Sequence, residues 1–273
     1  MKKLVRNVCM FLFLCACAGC KEIVKAPLVT KVADVMREGI PALDLVYDRD
    51  GNIIQYGNTP INYNGDQIII GAMDIPGFDG KLFEAVFTIG KGRAKESHAR
   101  CMLKTENGEL EAEKKTTYKY KADTLIIQSD YYAVADRSFI RNVQGRYILD
   151  ANKRLSEVIY TYHEANDSVY SRCARYNYDN NLGSISNLNL QAYVIEHDGT
   201  DGFLYFLLNL ARFSDNWPLP NDIAYSLEPS GASFNLHVNY RMVGEQVIRI
   251  EVLHEETGFL SRMDLFYKNE ERE

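Results

Sequence analysis

The sequence predicts an all-β protein: a large curved antiparallel sheet, or partial barrel, of consecutive hairpins with one buried helix at about 203–213. Three observations carry that reading. The chain holds 18 Tyr against 7 Pro, and Tyr, Val, Ile and Thr suit a pleated, half-buried surface. Short runs of alternating polarity are separated by Asp, Asn and Gly, which supply turn conformations. One segment, from Phe203 through Leu208 and Leu210 to Phe213, is instead apolar nearly all round, as suits a helix enclosed by other elements.

The N-terminus reads as an export leader over residues 1–19. Lys2, Lys3 and Arg6 precede an apolar run from Val8 to Phe13, and then comes Leu14-Cys15-Ala16-Cys17-Ala18-Gly19-Cys20. The run is too short for a spanning helix, and its flanks are those of a signal peptide. Its end resembles a bacterial lipobox, in which small residues precede the cysteine that becomes the lipidated first residue. Cys20, with Ala18 and Gly19 before it, is the favoured position; Cys17, with Leu14 and Ala16 before it, is the alternative. Lys21-Glu22 resembles the surface-export start of Bacteroidota lipoproteins. An ordinary cleaved secretory leader is the competing reading. A lipid anchor implies an outer-membrane lipoprotein of the cell envelope, on the periplasmic or the surface face.

Residues 20–41 read as the lipidated tether. Thr30 can cap a short helix there, with Val32, Val35 and Met36 on one face and Gly39 at its end. The stretch lacks the Ser/Gly richness of a long spacer, so the domain is expected close to the membrane. Removing residues 1–19 deletes three positive charges and no negative one, taking the formal charge from −6 to −9. Such acidity argues against nucleic acid or anionic lipid as partner.

Residues 42–273 read as a single hairpin domain. Phe234 to Met242 alternates strictly, apolar at even positions and polar at odd ones, the period of a strand with one wet face. Val247 to Leu253 and Phe259 to Tyr267 return after turns and complete a three-strand meander. Earlier, Tyr47-Asp48-Arg49-Asp50-Gly51-Asn52, Tyr147-Ile148-Leu149-Asp150-Ala151-Asn152 and Tyr178-Asp179-Asn180-Asn181-Leu182 share one grammar. A Tyr-bearing strand meets Asp, turn residues follow, and Leu or Ile opens the return. Asn107-Gly108 marks one more hairpin. Asn216-Trp217-Pro218 closes the apolar segment, since a helix ends ahead of proline.

Convergent reactive groups are not apparent, and no catalytic residue, metal ligand or cofactor is assigned. His98, His163, His197, His237 and His254 lack metalloprotease spacing. Asp48, Asp50, Asp150 and Asp179 are explained as turn formers, although glycoside hydrolysis by two such acids is the alternative. Gly90-Lys91-Gly92-Arg93 is a basic turn without Walker spacing. Cys101 and Cys173, beyond the anchor, read as free thiols, with a disulfide as the alternative. Trp217, Phe213 and Phe203 are candidates for a sugar-binding platform. Thr124 in Asp123-Thr124-Leu125 and Ser168 in Asp167-Ser168-Val169 resemble O-glycosylation sites of exported Bacteroidota proteins.

The Tyr-Asp hairpins, the late apolar helix leading into Leu219-Pro220-Asn221-Asp222-Ile223 and the closing meander together resemble a family. It is the domain-of-unknown-function family of Bacteroidota lipoproteins with a porin-like fold, and the hairpins are also similar to the YD repeats of Rhs-type proteins. The resemblance covers about residues 42–268 and is best from Arg146 onward; strand order between Gly57 and Lys114 stays open. It implies a curved sheet with the helix packed inside, and no established activity. The expected role is a non-catalytic binding or structural module for a glycan or protein at the envelope. A polysaccharide-acting enzyme or an integral pore are the alternatives. An acidic C-terminus without a terminal aromatic, an apolar helix needing an apolar interior and a lipid anchor all speak against a pore.

Overall fold

The computed structural model describes residues 29–34, 43–74, 80–105, 108–178, 194–210, 220–244, 246–258 and 260–267. The leader, Cys17 and Cys20 lie outside them, as do Asp179, Phe213 and Trp217. The first strands are short: β1 Val29–Asp34, β2 Leu43–Tyr47, β3 Ile53–Tyr56, β4 Thr59–Asn64 and β5 Gln67–Ile70. A broad wall follows, made of β6 Gly80–Gly90, β7 Arg93–Thr105, β8 Gly108–Tyr120, β9 Thr124–Ala133, β10 Phe139–Leu149, β11 Leu155–Glu164 and β12 Val169–Asn177. After a long crossover that carries helix α1, Gly202–Leu207, come β13 Asp222–Glu228, β14 Ala232–Val243, β15 Gln246–His254 and β16 Leu260–Tyr267.

Every strand pairs antiparallel with its sequence neighbour, so the order of the expected doubtful region, β3 to β8, is simply consecutive. The large curved sheet curls until β1 bridges its two ends. That strand pairs with β16 from Val29↔Tyr267 to Asp34↔Met263, and with β2 through Lys31↔Asp44 and Val32↔Leu43. The strand ring is thereby closed into a barrel.

The aspartate turns form as the sequence suggests. Asp48 Oδ1 accepts the amides of Asp50 and Asn52, each at 2.9 Å, and Gly51 takes φ 84°. Asp150 Oδ1 accepts the amides of Asn152 and Arg154 at 2.8 and 2.9 Å, with Arg154 Nε on Oδ2 at 2.8 Å. A carboxylate thus stands in for the backbone acceptor of the turn. Thr105 pairs with Gly108 across the hairpin expected at Asn107-Gly108. The meander is present as β14, β15 and β16, in the expected parity.

Two expectations are corrected. Residues 29–34, inside the expected tether and its short helix, form β1, because strands on both sides offer pairing and Val29, Thr30 and Val32 are β-branched. The turn and return expected after Tyr178 lie outside the described residues; β12, which leads to them, pairs with β11 and β13. The helix is also shorter than residues 203–213. It ends at Leu207, just before Asn209 takes a left-handed φ of 53°.

Antiparallel alternation sorts the barrel into two poles. Val29, Tyr267 and the turns after β2, β4, β6, β8, β10 and β14 share one pole, which is where the chain enters. The crossover leaves Asn177 and returns to Asp222 at that same pole, where the two residues pair. Between them it inserts α1 into the barrel, all six helical residues being buried. Phe203 meets Tyr56 of β3 edge-on at 5.8 Å, Tyr205 stacks on Tyr118 of β8 at 4.7 Å, and Phe206 leans on Tyr147 of β10 at 5.3 Å. Three aromatic residues of one short helix therefore pin it to separate parts of the wall.

Candidate functional site

The chemistry of this molecule is concentrated where the crossover meets the wall. Inward positions of β8 include Ala112, Thr116 and Tyr118, and Lys114 shares their parity, its side chain only 1% exposed. Its ammonium bonds the carboxylates of Asp198 and Asp201 and the Thr200 hydroxyl, the last at 2.6 Å. Ser97 of β7 donates to the other Asp201 oxygen and lies 3.0 Å from the Tyr118 hydroxyl. Tyr131 of β9 donates to Asp198 at 3.2 Å, and the Arg141 guanidinium of β10 sits 4.7 Å from the centre of the Tyr131 ring. Gly202 is needed beside this knot: a Cβ there would fall 2.9 Å from Asp198 Oδ1.

A second pair ties the crossover to the other side of the wall. Arg172 of β12 meets Glu196 at 3.0 Å. The Glu196 carbonyl accepts the Tyr147 hydroxyl at 3.0 Å, and its amide donates to Tyr176 Oη at 2.8 Å. The backbone just ahead of α1 is thus satisfied by tyrosines, as buried peptide groups must be.

Burial alone would pull the Lys114 ammonium down, but the Asp198 and Asp201 carboxylates outweigh it and hold it well above its ordinary value. Burial pushes Asp198 up, yet Lys114 overcomes that and leaves the carboxyl below the usual range. Glu196 goes the other way: burial raises it despite Arg172. Burial also raises Tyr118, Tyr131, Tyr147 and Tyr160. The buried Cys101 thiol is pushed up to about 12 by burial, which makes it inert.

This arrangement is a lock. Lys114, Asp198 and Asp201 saturate one another and present no reactive atom to a substrate, their side chains being at most 4% exposed. The interior is therefore not purely apolar, as an apolar helix had suggested; it carries an ionic knot beside the aromatic plug. Among the described residues, no group of three or more His, Cys, Asp or Glu is placed to hold a metal.

The residues singled out from sequence mostly lie elsewhere. Asp48 and Asp150 are occupied with turns, and Asp50 is exposed within one. Cys101 is buried and Cys173 half-buried, both as free thiols. Phe203 is fully buried against Tyr56 and His197, so it fills core and offers no sugar platform. His197 lies on the crossover, its ring edge-on to Phe203 at 5.8 Å. Thr124 and Ser168 do fall at hairpin corners, half-buried and exposed respectively. The lock itself was missed, although a lysine on the apolar parity of β8 and the run His197-Asp198-Gly199-Thr200-Asp201 before α1 both signal it.

The outward face is the inverse of the interior. Cross-strand ion pairs line it, among them Arg262 with Glu251 at 2.7 Å, Arg175 with Glu157 at 2.9 Å and Arg249 with Asp264 at 2.5 Å. Lys115, Thr117 and Lys119 of β8 are exposed on the same outward face. A barrel facing lipid turns an apolar band outward, and charge at its middle is costly. Among the described residues, no helix is long and apolar enough to cross a membrane.

A family model matches residues 29–265. Among solved structures, a porin-like protein from Bacteroides vulgatus is 50% identical, with a TM-score of 0.82 over 89% of this chain and 99% of that one. A porin-like protein from Bacteroides uniformis shares the fold at 10% identity, with a TM-score of 0.50 over 88% of this chain and 96% of its own. No curated protein matches.

Proposed function

The chain belongs to the family of the Bacteroides vulgatus porin-like protein, and from that premise we propose a lipid-anchored, non-catalytic envelope module whose barrel is a plugged body and not a channel. The observation that carries this reading is the polarity of the wall. Ion pairs such as Arg262–Glu251 face outward while α1 and the Lys114 lock fill the inside. Water suits the outer face, and the lumen holds helix where a porin holds solvent. Attachment then falls to the N-terminus, with Cys20 as the lipidated residue and Cys17 as the alternative. Two or more acyl chains there would hold stably, where one is marginal.

The role is presentation of a rigid surface to a glycan or partner protein at the outer membrane. Corner residues Thr124 and Ser168 are the proposed O-glycan positions. The enclosed state of Asp198 and Asp201 speaks against the polysaccharide-cleaving alternative, which needs two acids open to a groove.

Cell fractionation with Cys20→Ser tests the whole reading. The expected outcome is release of the variant as water-soluble protein, while the parent partitions into detergent and adds no conductance steps to a planar bilayer. A variant that still requires detergent when Cys17→Ser is added, or a parent that conducts, would overturn it. A glycan array run beside a polysaccharide-turnover assay separates binding from catalysis, and measurable turnover would count against a non-catalytic module.

A further inference from the structure

The net charge of the chain hides a basic corner at the pole where the chain enters. The turn after β6 is a two-residue hairpin closed by Gly90↔Arg93, with Lys91 at φ 54° and Gly92 at φ 72°, as the primed turns of hairpins require. Beside it lies a pocket of about 510 Å³ lined by Gly90, Lys91, Arg93, Lys95, Tyr118 and Tyr120, with three cationic side chains and no carboxylate in the lining. Arg93 stands over the Tyr120 ring at 5.1 Å, and the Tyr120 hydroxyl is fixed by the carbonyls of Ala94 and Leu210. The pocket wall is thus pre-positioned by the plug.

Neighbouring turns at this pole add Lys121 and Lys153, both exposed, and Lys153 reaches across to the Ala122 carbonyl at 3.3 Å. Exposed Lys119 lies at the same end of β8. Asp66, Asp123 and Asp150 are the acids of these turns, Asp150 being held by Arg154, while the turn after β2 at the same pole carries Asp48 and Asp50 with Arg49, so the basic character is local to this corner. The opposite pole is different. Its turns after β9, β11 and β15 carry Asp136, Asp167, Glu255 and Glu256, with Arg137 as their one cation.

We propose that the pocket beside the Lys91-Gly92 turn is a binding site for the phosphate of an anionic lipid headgroup, docking this pole of the barrel on the membrane that holds the anchor. This rests on the lipid-anchor reading of Cys20. Eight residues separate Cys20 from Val29, nine Cα steps with a covalent reach of at most ~32 Å, and Val29 begins β1 at the same pole as the pocket. The anchor therefore keeps this end, and not the acidic one, within range of headgroups. Basic side chains near an anionic surface each contribute about 1 kcal/mol of attraction, lost beyond a Debye length. A short tether and a basic corner act together, so the acidic opposite end of the barrel points away from the bilayer.

The test uses the full chain with Cys17→Ser and Cys20→Ser, so that no acyl chain contributes, in co-sedimentation with vesicles of phosphatidylcholine alone or mixed with phosphatidylglycerol. Binding to the mixed vesicles only, falling with added salt, is expected. Lys91→Asn with Lys95→Gln should weaken it roughly tenfold or more, whereas Lys81→Gln with Arg137→Gln at the opposite pole should not. Asparagine tolerates the left-handed turn position, and an unchanged unfolding midpoint will show that the pocket variant folds. Equal binding to both vesicle types, or equal loss in both double variants, would overturn the proposal. So would titratable binding of inorganic phosphate by a protein that ignores vesicles, which would make the pocket a site for a soluble anion. Mass spectrometry of the N-terminus tests the anchor separately, so failure of docking and failure of anchoring remain distinguishable.

Discussion

The same strands carry ion pairs on both faces of this barrel, and the two sets do different things. Arg262 and Glu251 face each other across β15 and β16, about a third exposed, where water and salt would solvate either partner alone. Lys114 meets Asp198 and Asp201 with all three side chains at most 4% exposed, so bulk solvent cannot replace a missing partner. An outer pair tunes the surface. The inner triad decides whether the crossover can stay inside at all, because desolvated charges persist only when they satisfy one another. A closed sheet alone would leave its lumen empty; the lock and the three aromatics of α1 make the interior a core.

Removing the cation is the largest way to break that contrast. Lys114→Met leaves two carboxylates facing each other in a low-dielectric interior, and we expect a loss of about 3–5 kcal/mol, measured by urea unfolding. Adding Asp198→Asn and Asp201→Asn to that variant should recover most of it, because no uncompensated charge then remains. A triple variant as unstable as the single one would show that the lysine acts by packing and not by charge.

Titration sharpens the comparison next. Lys114 and the buried Tyr118, Tyr131, Tyr147 and Tyr160 all have folded-state values above their unfolded ones. Their stabilisation is fully present below about pH 10, the unfolded range of Tyr and Lys, and drains away as pH rises beyond it. Asp198 has the opposite sign: its contribution is present above about pH 4 and is lost as pH falls through its depressed value. Thermal midpoints should therefore be flat through neutrality and fall steeply above pH 10. In Tyr131→Phe the alkaline fall should be shallower. An alkaline limb unchanged by that substitution would remove Tyr131 from the account.

Most of the fold was legible because it is local. A carboxylate that caps its own turn, as Asp48 and Asp150 do, announces a hairpin within five residues, and strict alternation from Phe234 to Met242 fixes which face of β14 is wet. What stayed hidden is non-local. β1 looks like a short helix until strands from both ends of the chain come to pair with it. That β13, which begins only at Asp222, takes the free edge of β12, which ends at Asn177, is equally non-local. Lys114 and Asp201 lie 87 residues apart, so nothing in their neighbourhoods couples them. Even so, a lysine placed where Ala112 and Thr116 point inward was a legible anomaly. The basic corner was obscured for another reason: net charge sums over both poles, and only the strand order separates them.

A smaller test concerns close packing on the inner face. Gly145 of β10 pairs with Tyr160 of β11, and a Cβ added at Gly145 would sit 2.8 Å from that ring. The ring cannot swing aside, since its hydroxyl bonds Tyr147 and both tyrosines are buried. Gly145→Ala should therefore cost about 1–3 kcal/mol as an overpacked site. The glycine serves the tyrosine and not a turn, so Tyr160→Leu should relieve the clash in the double variant, whereas each single change destabilises.

The smallest expected effect lies outside. Arg262→Gln removes one partner of an outward pair while leaving its β16 backbone pairing with β15 intact. Glu251 is then re-solvated, not stranded, so the change should stay below ~1 kcal/mol and shrink further in high salt. The identical experiment on Lys114 should be insensitive to salt, because ions do not reach it. If Arg262→Gln instead costs as much as Lys114→Met, the outer face is not the wet one. The barrel would then have to bury that surface against lipid or another protein, and the plugged, water-facing reading would fail with it.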